Sequence, residues 1–279
     1  MKTVGLVACS NPQKPAYKEQ NETLIQFLQQ NGKRVLISGC LYEEGSAYTY
    51  TGAERADALM QLFCNPKVDE IYDISGGDMA NEILDFLDFE AIRNSTATFW
   101  GYSDLTTVIN AIYSRTGKSS VLFQIKNLVR GDAQELQRQR FLRGSDLFRP
   151  SFKLVQGRGM KGVVVGGNIR CFLKLAGTRY FPDLTGKILL LEALNGQVPQ
   201  MVTYLSQLRS CGAFQQAKGI LLGTFSEMEA KDCEPDMLSL VRLFAGTKMP
   251  IAQTREIGHG YDARAVWIGR EIEISDDAS

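Results

Sequence analysis

The chain contains a single histidine, His259, set between glycines in Glu256-Ile257-Gly258-His259-Gly260-Tyr261. Any proton transfer near neutral pH that needs an imidazole must use this residue. A hydroxyl for such a base to activate stands in Gly101-Tyr102-Ser103-Asp104-Leu105, between an apolar strand-like run and a periodic helix. A sharp strand-to-helix turn exposes its side chain, and the helix start offers unpaired N–H groups to a developing anion. This is the logic of a nucleophile elbow, although the local sequence is not G-x-S-x-G. Together Ser103 and His259 suggest a serine hydrolase with one available base. The competing structural reading is that Ser103 only caps its helix and that His259 is an ordinary surface or core side chain.

Two further segments bear on that chemistry. Ser75-Gly76-Gly77-Asp78 follows a strand and precedes a helix. Its glycines let the backbone approach a ligand and aim N–H groups at it, as half of an oxyanion hole or as a carboxylate cradle. An ordinary tight turn explains the same residues, and there is no phosphate-loop pattern in the chain. Glu192 directly follows Ile188-Leu189-Leu190-Leu191. A carboxylate there is costly to desolvate without a partner. It can orient His259 through the ring N–H and stabilise the imidazolium that forms, or it can be a strand-end acid in water. Gly166-Gly167-Asn168 reads as another strand–helix turn without chemistry.

The elements that must position these residues alternate. Apolar strand-like runs occur at Val4–Ala8, Val35–Ile37, Glu70–Ile74 and Thr96–Trp100. Helical patterns separate them: Leu24, Ile25, Phe27 and Leu28 ending at Asn31-Gly32, then Ala53 to Phe63, then Asn81 to Leu87. Leu105, Val108, Ile109, Ile112 and Tyr113 mark an amphipathic helix straight after Ser103. Such units predict an α/β fold: a doubly wound parallel-sheet N-terminal domain over 1–150 that carries the nucleophile. A charged helix from Asp132 to Phe148 leads to Arg149-Pro150, and 151–160 is expected to be a linker. A second, smaller α/β domain over 161–279 would carry the acid and base. Its strands are expected at Gly162–Val165, Lys187–Leu191 and Gly219–Leu222, its helices at Met201–Leu208 and Asp236–Phe244. Ala265–Ile274 reads as a closing hairpin.

Bulk properties narrow the function classes. The 279 residues balance 31 basic against 31 acidic side chains, so nothing favours a polyanionic partner. Arg138, Arg140, Arg143 and Arg149 read as a solvated helix face rather than a nucleic-acid surface. The six cysteines form no CxxC pair and have no companion histidines, which argues against zinc and for reduced thiols in a cytoplasmic protein. Leu6-Val7-Ala8-Cys9 has the look of a lipoprotein cleavage site, but the apolar stretch before it is shorter than the roughly 7–15 residues of a signal core. No run approaches the ~20 apolar residues of a membrane span.

Taken in order, these motifs resemble those of the LD-carboxypeptidase family of serine peptidases. The resemblance rests on Ser75-Gly76-Gly77, on Gly101-Tyr102-Ser103-Asp104-Leu105-Thr106, and on Val165-Gly166-Gly167-Asn168 with Leu175-Ala176-Gly177-Thr178. Leu190-Leu191-Glu192 and Gly258-His259-Gly260 complete it. It implies a triad of Ser103, Glu192 and His259, with backbone N–H groups of Asp104 and Gly77 as the oxyanion hole. It implies two α/β domains with the site between them, a homodimer, and no metal or organic cofactor. The implied reaction releases a terminal D-amino acid from an L,D-linked murein peptide during wall recycling. Microcin-immunity hydrolases, which attack aminoacyl- or peptidyl-nucleotide compounds, are the nearest alternative, and a non-catalytic ligand-binding protein is another. The chain departs from the pattern at Ser75, where many members have arginine, and at Asp78-Met79, where they have tyrosine-glycine. It also departs at Phe123-Gln124-Ile125-Lys126-Asn127, where many have a His-Gly-Pro segment, and after Glu192, where Ala193-Leu194-Asn195 replaces an acidic continuation.

Overall fold

The computed structural model describes residues 1–275. The first half alternates β1 (Lys2–Val7), α1 (Lys18–Gln30), β2 (Lys33–Ile37), α2 (Gly52–Phe63), β3 (Glu70–Asp73), α3 (Phe89–Asn94), β4 (Thr98–Gly101), α4 (Thr106–Thr116), β5 (Ser120–Leu122) and α5 (Gln134–Arg143). The second half follows with β6 (Lys153–Gln156), β7 (Gly159–Asn168), α6 (Ile169–Leu173), β8 (Ile188–Ala193), α7 (Val198–Ser210), α8 (Ala213–Gln216), β9 (Gly219–Phe225), α9 (Ser226–Ala230), α10 (Met237–Ala245), β10 (Ile251–Gln253), β11 (Val266–Ile268) and β12 (Glu271–Ser275).

Two six-stranded sheets result, ordered β2-β1-β3-β4-β5-β11 and β12-β7-β8-β9-β10-β6. The first is parallel except for β11, and the second is parallel from β7 to β10 with antiparallel edges. Both are α/β, as the alternation predicts. The first sheet winds outward from β1 to β2 and then reverses to β3. The crevice at that reversal, beyond the carboxyl ends of the strands, is where ligands gather in such sheets.

Burial follows strand periodicity. Val4, Leu6 and Ala8 join a core with Leu24 and Leu28 of α1, whereas Val7 and Cys9 face a second core with Leu59 and Leu62 of α2. In β8, Leu189 and Leu191 pack toward α7 and α10, while Ile188 and Leu190 share the core that holds Val108, Ile109 and Ile112 of α4. Strands buried on both faces are continuous apolar runs for this reason. The core around α4 is therefore common to both sheets.

Five expectations need correction. The expected linker 151–160 contains β6, which pairs antiparallel with β10; a four-residue edge strand beside Pro150 and Gly157 is too short to show a period. Val266–Ile268 and Glu271–Ser275 are not a hairpin: β11 closes the edge of the first sheet on β5, and β12 pairs with β7. The helix expected over Asp132–Phe148 breaks at Gly144, whose left-handed φ of 65° ends α5. Asn81–Leu87 lies largely in a 3-10 helix, Ala80–Phe86. Of the supposed solvated arginines, Arg138 donates to the Leu128 carbonyl at 2.7 Å and Arg140 to that of Asp262 at 2.7 Å. The expected second domain's last residues, 276–279, lie outside the described residues.

Candidate active site

Ser103 sits where β4 hands over to a 3-10 turn, Ser103–Leu105, that leads directly into α4. Tyr102 is extended, but Ser103 has φ 55°, a region that non-glycine residues seldom occupy. The strain projects the hydroxyl out of the turn, as an exposed nucleophile requires. Gly101 allows the turn to be this tight, since a Cβ there would lie 2.6 Å from that of Leu105.

Buried polar side chains of α4 tie the elbow to the second sheet. Thr106 Oγ1 accepts from Asn168 N at 3.0 Å, and Thr107 Oγ1 donates to the Cys171 carbonyl at 3.1 Å. Asn110 exchanges two bonds with the Gly166 backbone, at 2.9 and 2.8 Å. Asn168 in turn stands in register with Glu192. Helix and carboxylate are thus indexed to each other through β7.

Glu192 is fully buried at the end of β8. Its Oε2 lies 2.7 Å from His259 Nδ1, and His259 Nε2 lies 3.2 Å from Ser103 Oγ. With the Nδ1 proton donated to Glu192, the Nε2 lone pair faces the serine, and the hydroxyl donates to it. The Tyr102 hydroxyl donates to the same Oε2 at 3.2 Å, and its ring meets the imidazole edge-on at 4.8 Å. Burial, then the Glu192 charge, push the Tyr102 phenol well above its ordinary value, so it remains a donor. Tyr102 carries no signal of this role in the sequence, because a tyrosine beside a strand end reads as core.

The imidazole comes from the loop between β10 and β11, which the first half clamps. Gln137 of α5, fully buried, donates from Nε2 to the Tyr261 and Ala263 carbonyls at 2.9 and 2.6 Å. Asn127 Nδ2 reaches the Gly260 carbonyl at 3.2 Å. These holders had no sequence signal, for nothing in a charged helix marks one glutamine as an anchor.

Gly77 and Asp104 lie beside the elbow at the winding reversal. Gly77 has φ 121°, and a Cβ would strike the Asn11 side chain at 2.3 Å. Asn11 N donates to the Gly76 carbonyl, and Asn11 Oδ1 accepts from Asp78 N. Arg170 and Lys174, from and just after α6, reach the Gly77 and Asp78 carbonyls. Among the described residues no acceptor takes the Gly77 N–H. The Asp104 carboxylate is fully occupied in the structure: Ser10 Oγ and Ala80 N donate to it, and Lys174 pairs with it.

A two-sheet α/β protein with a serine–histidine–glutamate chain at a strained elbow has the apparatus of a serine hydrolase. Comparison gives the family: models described as the LD-carboxypeptidase N-terminal and C-terminal domains match residues 4–122 and 161–274. The chain belongs to this family of serine carboxypeptidases. A Bacillus subtilis (strain 168) protein named "Probable murein peptide carboxypeptidase" is 28% identical over 98% of this chain and 88% of the relative. The Escherichia coli microcin C7 self-immunity protein MccF is 24% identical over 99% of this chain and 91% of its own. In fold, MccF in complex with glutamyl sulfamoyl guanosine superposes with a TM-score of 0.85 at 19% identity, covering 99% of this chain and 96% of that one. A muramoyltetrapeptide carboxypeptidase from Oxalobacter formigenes superposes at 0.83 and 23%, with the same coverage.

Proposed function

We propose that the protein hydrolyses an amide bond by an acyl-enzyme route with Ser103, His259 and Glu192 as the triad. The observation that carries this reading is the continuous hydrogen-bonded chain from Ser103 Oγ through His259 to Glu192. His259 Nε2 takes the serine proton as Oγ attacks the carbonyl, then passes it to the leaving amine. A water activated by the same nitrogen then hydrolyses the ester. Glu192 fixes the tautomer and stabilises the imidazolium. The N–H groups of Asp104 and Gly77 receive the oxyanion, each worth on the order of 3 kcal/mol in the transition state.

For substrate, we propose a murein peptide whose terminal D-amino acid is released from an L,D-bond, as in wall recycling. The similarity to the Bacillus subtilis relative over 98% of the chain supports this choice. The likeness to MccF, seen with aminoacyl sulfamoyl nucleotides, keeps those compounds as the competing substrate class.

A fluorophosphonate should form an adduct that maps to Ser103 and disappears in His259→Ala. Turnover of murein tetrapeptide against an aminoacyl sulfamoyl nucleotide then separates the substrates. A folded protein whose Ser103 stays unlabelled would remove hydrolysis and leave a binding module.

A further inference from the structure

A cavity of about 640 Å³ that the mechanism does not use is lined by Tyr17, Lys126, Arg130 and Tyr261 among others. Tyr261 follows His259 by two residues, and Asn127, between the two cations, bonds the Gly260 carbonyl at 3.2 Å. Gln13, in the loop after β1, accepts from Lys126 Nζ at 2.8 Å. The two cations therefore sit between the winding reversal of the first sheet and the loop that carries the imidazole.

Neither cation has a carboxylate partner among the described residues. Lys126 is 8% exposed and its ammonium bonds only the neutral Gln13 side chain. Arg130 is half-buried, and its one bond runs from Nε to Asn127 Oδ1 at 3.3 Å, so both terminal amino groups are unused. Tyrosine rings flank them, Tyr17 at 5.3 Å from Lys126 and Tyr261 at 5.7 Å from Arg130. Two like charges gathered into one recess without a counter-ion are a cost to the fold. A free guanidinium fork next to an ammonium matches a carboxylate, which accepts two parallel N–H bonds and a point charge.

We infer that Lys126 and Arg130 form the subsite for an anionic group of the substrate, the free carboxylate of a peptide's terminal residue. The inference rests on the hydrolase reading and deepens it. An enzyme that removes only a terminal residue must recognise the chain end, and that end is a carboxylate. The sulfamate of an aminoacyl nucleotide presents the same acceptor chemistry.

The test uses Ser103→Ala protein, in which turnover is blocked. Calorimetry compares a D-alanyl-terminated tetrapeptide with its terminal carboxamide. The acid should bind about 30-fold tighter or better. Arg130→Gln and Lys126→Met should each collapse the ratio toward one. Arg130→Lys should keep part of it, since charge persists without the fork, and it carries the test if Arg130→Gln does not fold. An aminoacyl sulfamoyl nucleotide weakened by the same variants, with the acid-to-amide ratio unmoved, assigns the pair to the sulfamate and still supports an anion subsite. Acid-to-amide ratios and nucleotide affinities that are the same in parent and variants overturn it. Failure of the hydrolase reading shows separately, as wild-type Ser103 that takes no fluorophosphonate.

Discussion

At the scale of single residues, the site divides into groups that react and groups that aim them. Ser103→Ala should lower turnover on the order of 10⁶-fold with little change in melting temperature, because the half-buried hydroxyl contributes little packing. Glu192→Gln should cost on the order of 10⁴-fold, because an amide leaves the imidazole free to take the wrong tautomer. Steady-state rates on a murein tetrapeptide check both, and a Ser103→Ala protein that retains activity would remove the serine. Tyr102 acts through Glu192 rather than on substrate. Its phenol donates to the oxygen that also takes the imidazole proton. Tyr102→Phe should lower kcat roughly tenfold to a hundredfold, the worth of one bond to a charged group, and leave KM nearly unchanged. A rise in KM alone would place Tyr102 against the substrate instead.

At the scale of elements, what was legible in the sequence was whatever repeats. The strand–helix alternation and the periodic run Leu105 to Tyr113 predicted a parallel sheet with Ser103 at a strand's carboxyl end, and the structure has both. Ser103, Glu192 and His259 drew attention because each type is conspicuous in its local setting. The holders did not, because their role depends on partners more than a hundred residues away. Gln137 is one such residue, a buried amide on a helix whose other faces are charged. β6 and β11 were missed or misassigned for a related reason: strands of three or four residues carry too little pattern to name their sheet. Gln137→Leu should show how much the clamp matters. It strips the donor from two carbonyls of the His259 loop, each costing about 1–3 kcal/mol if left unmet. A displacement near 1 Å at the imidazole costs about 10²-fold in rate. Fluorophosphonate labelling of Ser103 should slow by a similar factor in a protein that still melts cooperatively; an unchanged labelling rate would show the loop is held by its other bonds.

At the scale of the whole molecule, the two sheets are joined through a common core and through charge. Lys174 reaches Asp104, Arg170 pairs with Asp78, and Arg179 pairs with Asp85, each from the second half onto the first. Lys126 is different, a buried cation facing another cation. Burial first, and then the Arg130 charge, hold its ammonium down to about 8 from an ordinary 10.5, with Asp73 opposing. Tyr17 and Tyr261 are the other titratable groups lining that recess. The sign follows from proton counts. Between about 8 and 10.5 the unfolded chain keeps the lysine proton and the folded chain releases it, so stability rises with pH across that window. Below it the charged lysine costs the fold on the order of 3 kcal/mol. Lys126→Met removes the titration, and the bond it loses to Gln13 is a constant. Urea midpoints of wild type and variant, taken at pH 7 and pH 10, should therefore shift relative to each other in favour of the wild type at the higher pH. Comparing the two proteins cancels what other groups contribute over that range, including Tyr102 and Tyr72, whose phenols the fold pushes well above their ordinary value. A difference that does not move with pH would mean that Lys126 is solvated or already neutralised. The recess would then not be storing the repulsion that a bound carboxylate is expected to relieve.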